Sequence, residues 1–216
     1  ELVLINSKNY SFHKIFSHIY VEDRVANTAL VKRIISQLPE SKIITIKNYK
    51  DIFNRKKQYF PIQSKSKKLI LAQKQPPFLY PIPALCQNNK AKNSFYITPV
   101  LNCIFDCSYC FLKGIYDSAN VVVFVNTEDF FIDVERNLST INSKECLNLH
   151  LSFESDLLAL EPLLGLCQDW AVFVSNTPNL SVEVRTKSGN YFPIQNIPIS
   201  QRYLFAWSLS PHFISK

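Results

Sequence analysis

Residues 102–114 read NCIFDCSYCFLKG and place three of the chain's six cysteines, Cys103, Cys107 and Cys110, in the spacing C-x3-C-x2-C. Thiols this close on one loop either cross-link or hold a metal or cluster, and inside a cell the second use is the commoner. Three thiolates suffice for a tetrahedral zinc with one open position. They also suffice for three irons of a [4Fe-4S] cluster, leaving the fourth iron to a small chelating molecule that can receive an electron. The segment just before the loop, residues 94–98 (SFYIT), alternates as a strand. The cysteines are therefore expected at a strand's C-terminal end, where α/β proteins gather their chemistry.

The pattern continues outward on both sides. Residues 121–125 (VVVFV), 147–153 (LNLHLSF), 181–185 (SVEVR) and 204–209 (LFAWSL) read as strands. Residues 127–138 read as a helix with a Thr cap and acids in its first turn, and 162–174 as a helix with Pro162 in its first turn. Strands separated by helical segments predict a parallel sheet or barrel, with about four barrel strands after Ser94 and VVVFV set aside as an extra. Upstream, residues 18–21 and 42–46 are strands around a helix over 27–38, capped by Asn27 or Thr28 and ended by Pro39. These form a small βαβ unit. The connection over 76–93 carries four prolines and a polar tail, so we expect a boundary near residue 92. That gives an N-terminal lead-in domain over 1–92 and a barrel domain over 93–216, incomplete at its C-terminus.

The chain has 216 residues, 47% of them hydrophobic, a net charge of +7 and a pI near 9.1. It can bury a core, and no run of about 18 apolar residues suggests a membrane span. Residues 1–10 lack the charged and apolar regions of a signal peptide, so a soluble, cytoplasmic protein without a membrane partner is expected. With no Met, even at position 1, the sequence reads as a piece of a longer chain. Lysines and arginines concentrate over 47–74, where Asp51 is the one acid and Tyr49, Phe53, Tyr59 and Phe60 are interleaved. Such a stretch suits nucleic-acid phosphates and bases, or simply forms a solvated basic face.

With Tyr109 just before its last cysteine, the C-x3-C-x2-C loop resembles the cluster motif of the radical S-adenosylmethionine (SAM) superfamily. Three further stretches, YCFLKGIYDSANVVVFVNTEDF (109–130), SFESDLLALEP (152–162) and VEVRTKS (182–188), are similar in order and spacing to the spore photoproduct lyase family and its lyase-like relatives. The earlier IYVEDRVANTALVKRII (19–35) and FNRKKQYFPIQ (53–63) resemble the lead-in segment of those relatives. The resemblance spans residues 18–210. It implies an α/β fold, a partial (β/α) barrel of radical SAM type preceded by the small βαβ unit. It further implies that Cys103, Cys107 and Cys110 ligate a [4Fe-4S] cluster whose open iron takes SAM. SAM is then cleaved to methionine and a 5′-deoxyadenosyl radical, which abstracts hydrogen from a nucleic acid such as a thymine-dimer lesion in DNA. A carbon–carbon lyase class and an electron donor such as flavodoxin or ferredoxin follow from the same resemblance. Tyr109 would contact the adenine, Ser155 and Asp156 would lie near the SAM, and Lys187 would reach its carboxylate. The ordinary readings are capping for Ser155 and Asp156, a solvated turn for Lys187 and packing for Tyr109.

The sequence departs from the family at two positions. The lyases carry a donor cysteine and a tyrosine where this chain has Phe153 and Phe111, and neither phenylalanine has a transferable S–H or O–H hydrogen. The last barrel strands and the lyases' C-terminal DNA-binding region are also expected to be missing. Two other readings remain open: a non-catalytic fragment or decayed homologue that keeps the cluster loop, and a zinc-binding nucleic-acid module with Cys86 as fourth ligand. Cys146 and Cys167 are expected to be buried packing residues. No histidine has ligand-like spacing, and His150 is expected on a strand beside a polar neighbour.

Overall fold

The computed structural model describes residues 12–83, 93–107, 109–197 and 200–209. The expected boundary near residue 92, Cys86 and His212 lie outside them. In chain order the elements are α1 (Phe12–Ile15), β1 (His18–Glu22), α2 (Ala29–Ser36), β2 (Lys42–Ile46), α3 (Lys50–Phe53), α4 (Phe60–Gln63), β3 (Leu69–Ala72), β4 (Tyr80–Pro81) and β5 (Ser94–Tyr96). They continue with β6 (Val100–Leu101), β7 (Val121–Phe124), α5 (Thr127–Leu138), β8 (Leu147–His150), α6 (Leu157–Leu164), α7 (Leu166–Asn176), β9 (Leu180–Thr186) and β10 (Tyr203–Trp207). The strands make two sheets, and the chain divides into two units, each built around one of them.

The first unit draws on Tyr10–Pro76 and Pro99–Thr127. Its sheet has the order β2-β1-β3-β7-β6. Parallel pairing of β1 with β2 across α2 is the expected βαβ unit. Thr28 caps α2, its hydroxyl accepting from the Val31 N–H at 3.4 Å, and the helix buries Val31 and Ile34 at the helical spacing of three. The centre of the sheet is β3, whose LILA run is buried throughout, as a strand flanked on both sides in a parallel sheet must be. On its far side lies β7, pairing Leu69 with Val121, so VVVFV belongs to this sheet. β6 closes the edge antiparallel to β7. Glu22, at the end of β1, is fully buried and accepts from the Tyr49 and Gln73 N–H groups and from Arg24, which keeps its charge paired.

The second unit draws on Pro77–Thr98 and Glu128–Lys216. Its sheet has the order β10-β9-β8-β5-β4, with β5, β8, β9 and β10 parallel and β4 antiparallel. The four parallel strands are those counted after Ser94. Leu149, Val182 and Val184 are buried on one face, while His150, Glu183 and Arg185 occupy the other. His150 pairs across the register with Glu183, 3.3 Å from its carboxylate.

One helix was expected over 162–174, and two are found. Gly165 adopts φ 65, a conformation that breaks the run and turns α7 by 96° from α6. Pro162 sits inside α6, not in a first turn. The N-terminus of α7 is capped by Glu161, whose carboxylate accepts from the Cys167 and Gln168 N–H groups at 2.7 and 2.9 Å. Trp170, fully buried, meets Phe131 edge-on at 4.8 Å, and Phe131 stacks on Phe173 at 4.2 Å. Cys167 is fully buried as expected, but Cys146 is exposed because it lies in the turn ahead of β8. Among the described residues no single helix is long and apolar enough to cross a membrane.

Candidate functional site

The cysteine loop does not follow SFYIT directly. After β5 the chain crosses to the first unit, forms β6 and turns at Asn102. Asn102 has φ 64, the left-handed region that Asn tolerates better than most residues. Its buried carboxamide donates to the Ser118 and Asn120 carbonyls at 2.6 and 2.8 Å, tying the corner to the segment that leads into β7. Asn102 Oδ1 is buried with no hydrogen-bond partner among the described residues.

Beyond the corner, three consecutive carbonyls converge on one side chain. Lys67 Nζ donates to the oxygens of Cys103, Ile104 and Phe105 at 2.9, 2.8 and 3.2 Å. Lys67 is only 5% exposed. Burial draws its pKa below the usual lysine range, against the opposing pull of Cys103, Asp106 and Cys107. The middle of the loop is held differently. Lys113 bonds the Asp106 carboxylate at 2.8 Å, and this hydrogen bond holds the Asp106 pKa below the ordinary range. At the end of the loop the Cys110 N–H donates to the Cys107 carbonyl at 3.1 Å.

Cys103, Cys107 and Cys110 are half-buried thiols outside any disulfide, while Tyr109 and Phe111 are about half exposed. Among the described residues no group of three or more His, Cys, Asp or Glu is gathered closely enough to hold a metal ion. The donors fit an iron–sulfur cluster in kind: three soft sulfur ligands in C-x3-C-x2-C sequence spacing on one short, partly shielded loop.

The other candidates lie in the second unit, at the C-terminal ends of β8 and β9. Asp156 is 5% exposed and caps α6, with Oδ1 accepting from the Ala159 N–H at 3.1 Å and from the Thr186 hydroxyl at 2.7 Å. Its Oδ2 accepts from the Lys187 N–H at 2.7 Å. Burial raises its pKa, opposed by these three hydrogen bonds. A carboxylate with about four acceptor positions, three of them filled among the described residues, joins the ends of β8 and β9. Ser155 Oγ is buried and has no hydrogen-bond partner among the described residues. The Lys187 side chain is exposed. Phe153 stacks on Tyr96 at 4.1 Å, and Tyr96 stacks on Tyr80 at 5.2 Å. Ser152 ties the same loop to β9, donating to the Arg185 carbonyl and accepting from its N–H, each at 2.7 Å.

The predicted residues thus form two sets. Cys103, Cys107, Tyr109, Cys110 and Phe111 belong to the first unit, and Phe153, Ser155, Asp156 and Lys187 to the second. Lys67 had no distinguishing mark within KSKK, whereas an Asn placed just before the cysteines was a readable signal of a left-handed corner. In the basic stretch, Lys47, Lys50, Arg55, Lys56, Lys57 and Lys65 are exposed, and so is Tyr59. Phe53, offered as a stacking group, is buried at 3% exposure against Tyr116 and is closed to a base.

No family model and no curated protein matches the chain in sequence. Solved structures do match. They include a single-substitution variant of spore photoproduct lyase at 16% identity, spore photoproduct lyase complexed with dinucleoside spore photoproduct at 15%, and a double variant with bound AdoMet and dinucleoside spore photoproduct at 16%. Each has a TM-score of 0.77 and is matched over 93% of this chain and 58% of the other. The chain has the α/β fold of spore photoproduct lyase and spans 58% of the length of those structures.

Proposed function

We propose that the chain is a radical SAM enzyme related to spore photoproduct lyase, acting on a nucleic acid and loaded with a [4Fe-4S] cluster through Cys103, Cys107 and Cys110. The carrying observation is three half-buried thiols in C-x3-C-x2-C spacing on a carbonyl-anchored loop, within a fold similar to that lyase. When bound, the cluster supplies the electron that splits SAM into methionine and a 5′-deoxyadenosyl radical. The chain's own residues bind and orient: the cysteines ligate, Asp156 fixes the β8 and β9 ends, and the buried Ser155 hydroxyl offers a hydrogen bond to a ligand. Lys187, exposed beside Asp156, offers an ammonium to a carboxylate.

Phe153 and Phe111 carry no transferable S–H or O–H hydrogen, so we assign the initiating abstraction to this chain. The experiment is anaerobic reconstitution with iron and sulfide, then dithionite, SAM and ultraviolet-irradiated DNA. Release of 5′-deoxyadenosine that is abolished in Cys107→Ala is expected. A loaded cluster that releases none would favour a decayed homologue, and zinc in place of iron would favour a binding module.

A nucleic-acid partner is supported by the exposed cations over 47–65. Replacing Arg55, Lys56 and Lys57 by Gln is expected to reduce the slope of log affinity against log salt by about 2–3. An unchanged slope would remove this stretch from the interface.

A further inference from the structure

We infer that Lys67 is a positioning residue for the cysteine loop, setting its backbone before any cluster binds and placing a buried positive charge beside the ligand site. The first half stands on the geometry alone, and the second rests on the cluster reading above.

An ammonium has three N–H donors, and Lys67 bonds three successive carbonyls, those of Cys103, Ile104 and Phe105. Peptide groups are planar, so the N–H partners of those carbonyls, on Ile104, Phe105 and Asp106, point away from the ammonium. One side chain therefore orients three peptide dipoles at the first cysteine of the motif. Lys67 is almost wholly buried, and among the described residues its hydrogen bonds run to neutral carbonyls. The nearby carboxylate, Asp106, is bonded by Lys113. A buried cation bonded to dipoles suits an anionic neighbour, and a thiolate-held cluster at Cys103 and Cys107 is one.

The test has two readouts. In the iron-free protein, 15N NMR of the lysine side chains is expected to show a slowly exchanging ammonium with through-hydrogen-bond couplings to the carbonyl carbons of residues 103–105, lost in Lys67→Met. If wild-type Lys67 exchanges like a solvated lysine, the proposal is overturned while the cluster reading stands. After anaerobic reconstitution, Lys67→Met is expected to hold iron about 10-fold or more weakly and to shift the reduction potential to more negative values. Lys67→Arg, which keeps the charge, is expected to recover the potential at least in part. Wild-type iron retention and potential in Lys67→Met would overturn the electrostatic role. A wild-type chain that shows the ammonium signal yet binds no cluster would overturn the cluster reading, and with it Lys67's role toward the cluster.

Discussion

Removing the Asp156 carboxylate measures what joins β8 to β9 in the second unit. Asp156→Ala deletes three hydrogen bonds at once: the cap on the Ala159 N–H, the Thr186 hydroxyl and the Lys187 N–H. Losing an N-cap costs about 1 kcal/mol, and each buried donor left without an acceptor about 1–3 kcal/mol. Against this stands the cost of burying the carboxylate, which raises its pKa and disappears with the side chain. The net loss is about 2–3 kcal/mol, or roughly 10 °C in the melting temperature of a unit this size. In Asp156→Asn the amide oxygen still serves Ala159 and Thr186 while the amide nitrogen meets the Lys187 N–H, a buried donor left without an acceptor, so about 1–2 kcal/mol is lost once the relief from burying the charge is set against it. The chain's two tryptophans, Trp170 and Trp207, both lie in the second unit, so tryptophan fluorescence reports its unfolding directly. Wild-type stability in both variants would show that the carboxylate joins nothing.

Glu183 is held at about 2 chiefly by its hydrogen bond with His150, helped by Arg185. A depressed carboxylate stabilises the fold above its ordinary value near 4.5 and loses that contribution as pH falls toward 2. With the side chain 24% exposed, Glu183→Gln is expected to flatten the acid limb of stability against pH by about 1–2 kcal/mol, read by urea titrations between pH 2.5 and 6 at roughly half-unit steps. Asn102→Val places a β-branched residue at φ 64 and removes two buried hydrogen bonds, so it should destabilise the first unit by about 3 kcal/mol or more, and Asn102→Gly by less. Thermal melting followed by circular dichroism compares the two, and equal losses would contradict the role of backbone strain. Iodoacetamide is expected to label Cys146 in the native chain and spare Cys167, which burial makes both inaccessible and hard to ionise. Peptide mass mapping reads the result, and native labelling of Cys167 would contradict the buried core around it.

The elements with a strong local period were legible in the sequence. The helix over 29–36, with its Thr28 cap, and the four parallel strands of the second unit lie where alternation and capping put them. Sheet membership was not legible, because pairing is settled by residues distant in sequence. VVVFV looked like an addition to the barrel and instead pairs with LILA, a central strand hidden inside a stretch dominated by lysines. Gly165 divided a run that apolar periodicity alone joins. The loop's place was not legible, since it follows β6 in the first unit and not SFYIT directly, although its cysteine spacing stood out as a chemical pattern. Nor was the anchor at Lys67, since a buried lysine and a solvated one look the same in KSKK, and only the three converging carbonyls tell them apart. Asp156 was legible as a residue of interest, but its partner Thr186 emerged only when β8 and β9 were placed side by side.

We propose that Cys103, Cys107 and Cys110 take an iron–sulfur cluster open to SAM. It is tested most directly by low-temperature EPR of the anaerobically reconstituted, dithionite-reduced chain, recorded with and without SAM. A reduced [4Fe-4S] signal that changes when SAM is added and is absent in Cys107→Ala is expected. Stoichiometric zinc with no cluster signal, or a cluster signal indifferent to SAM, would contradict it.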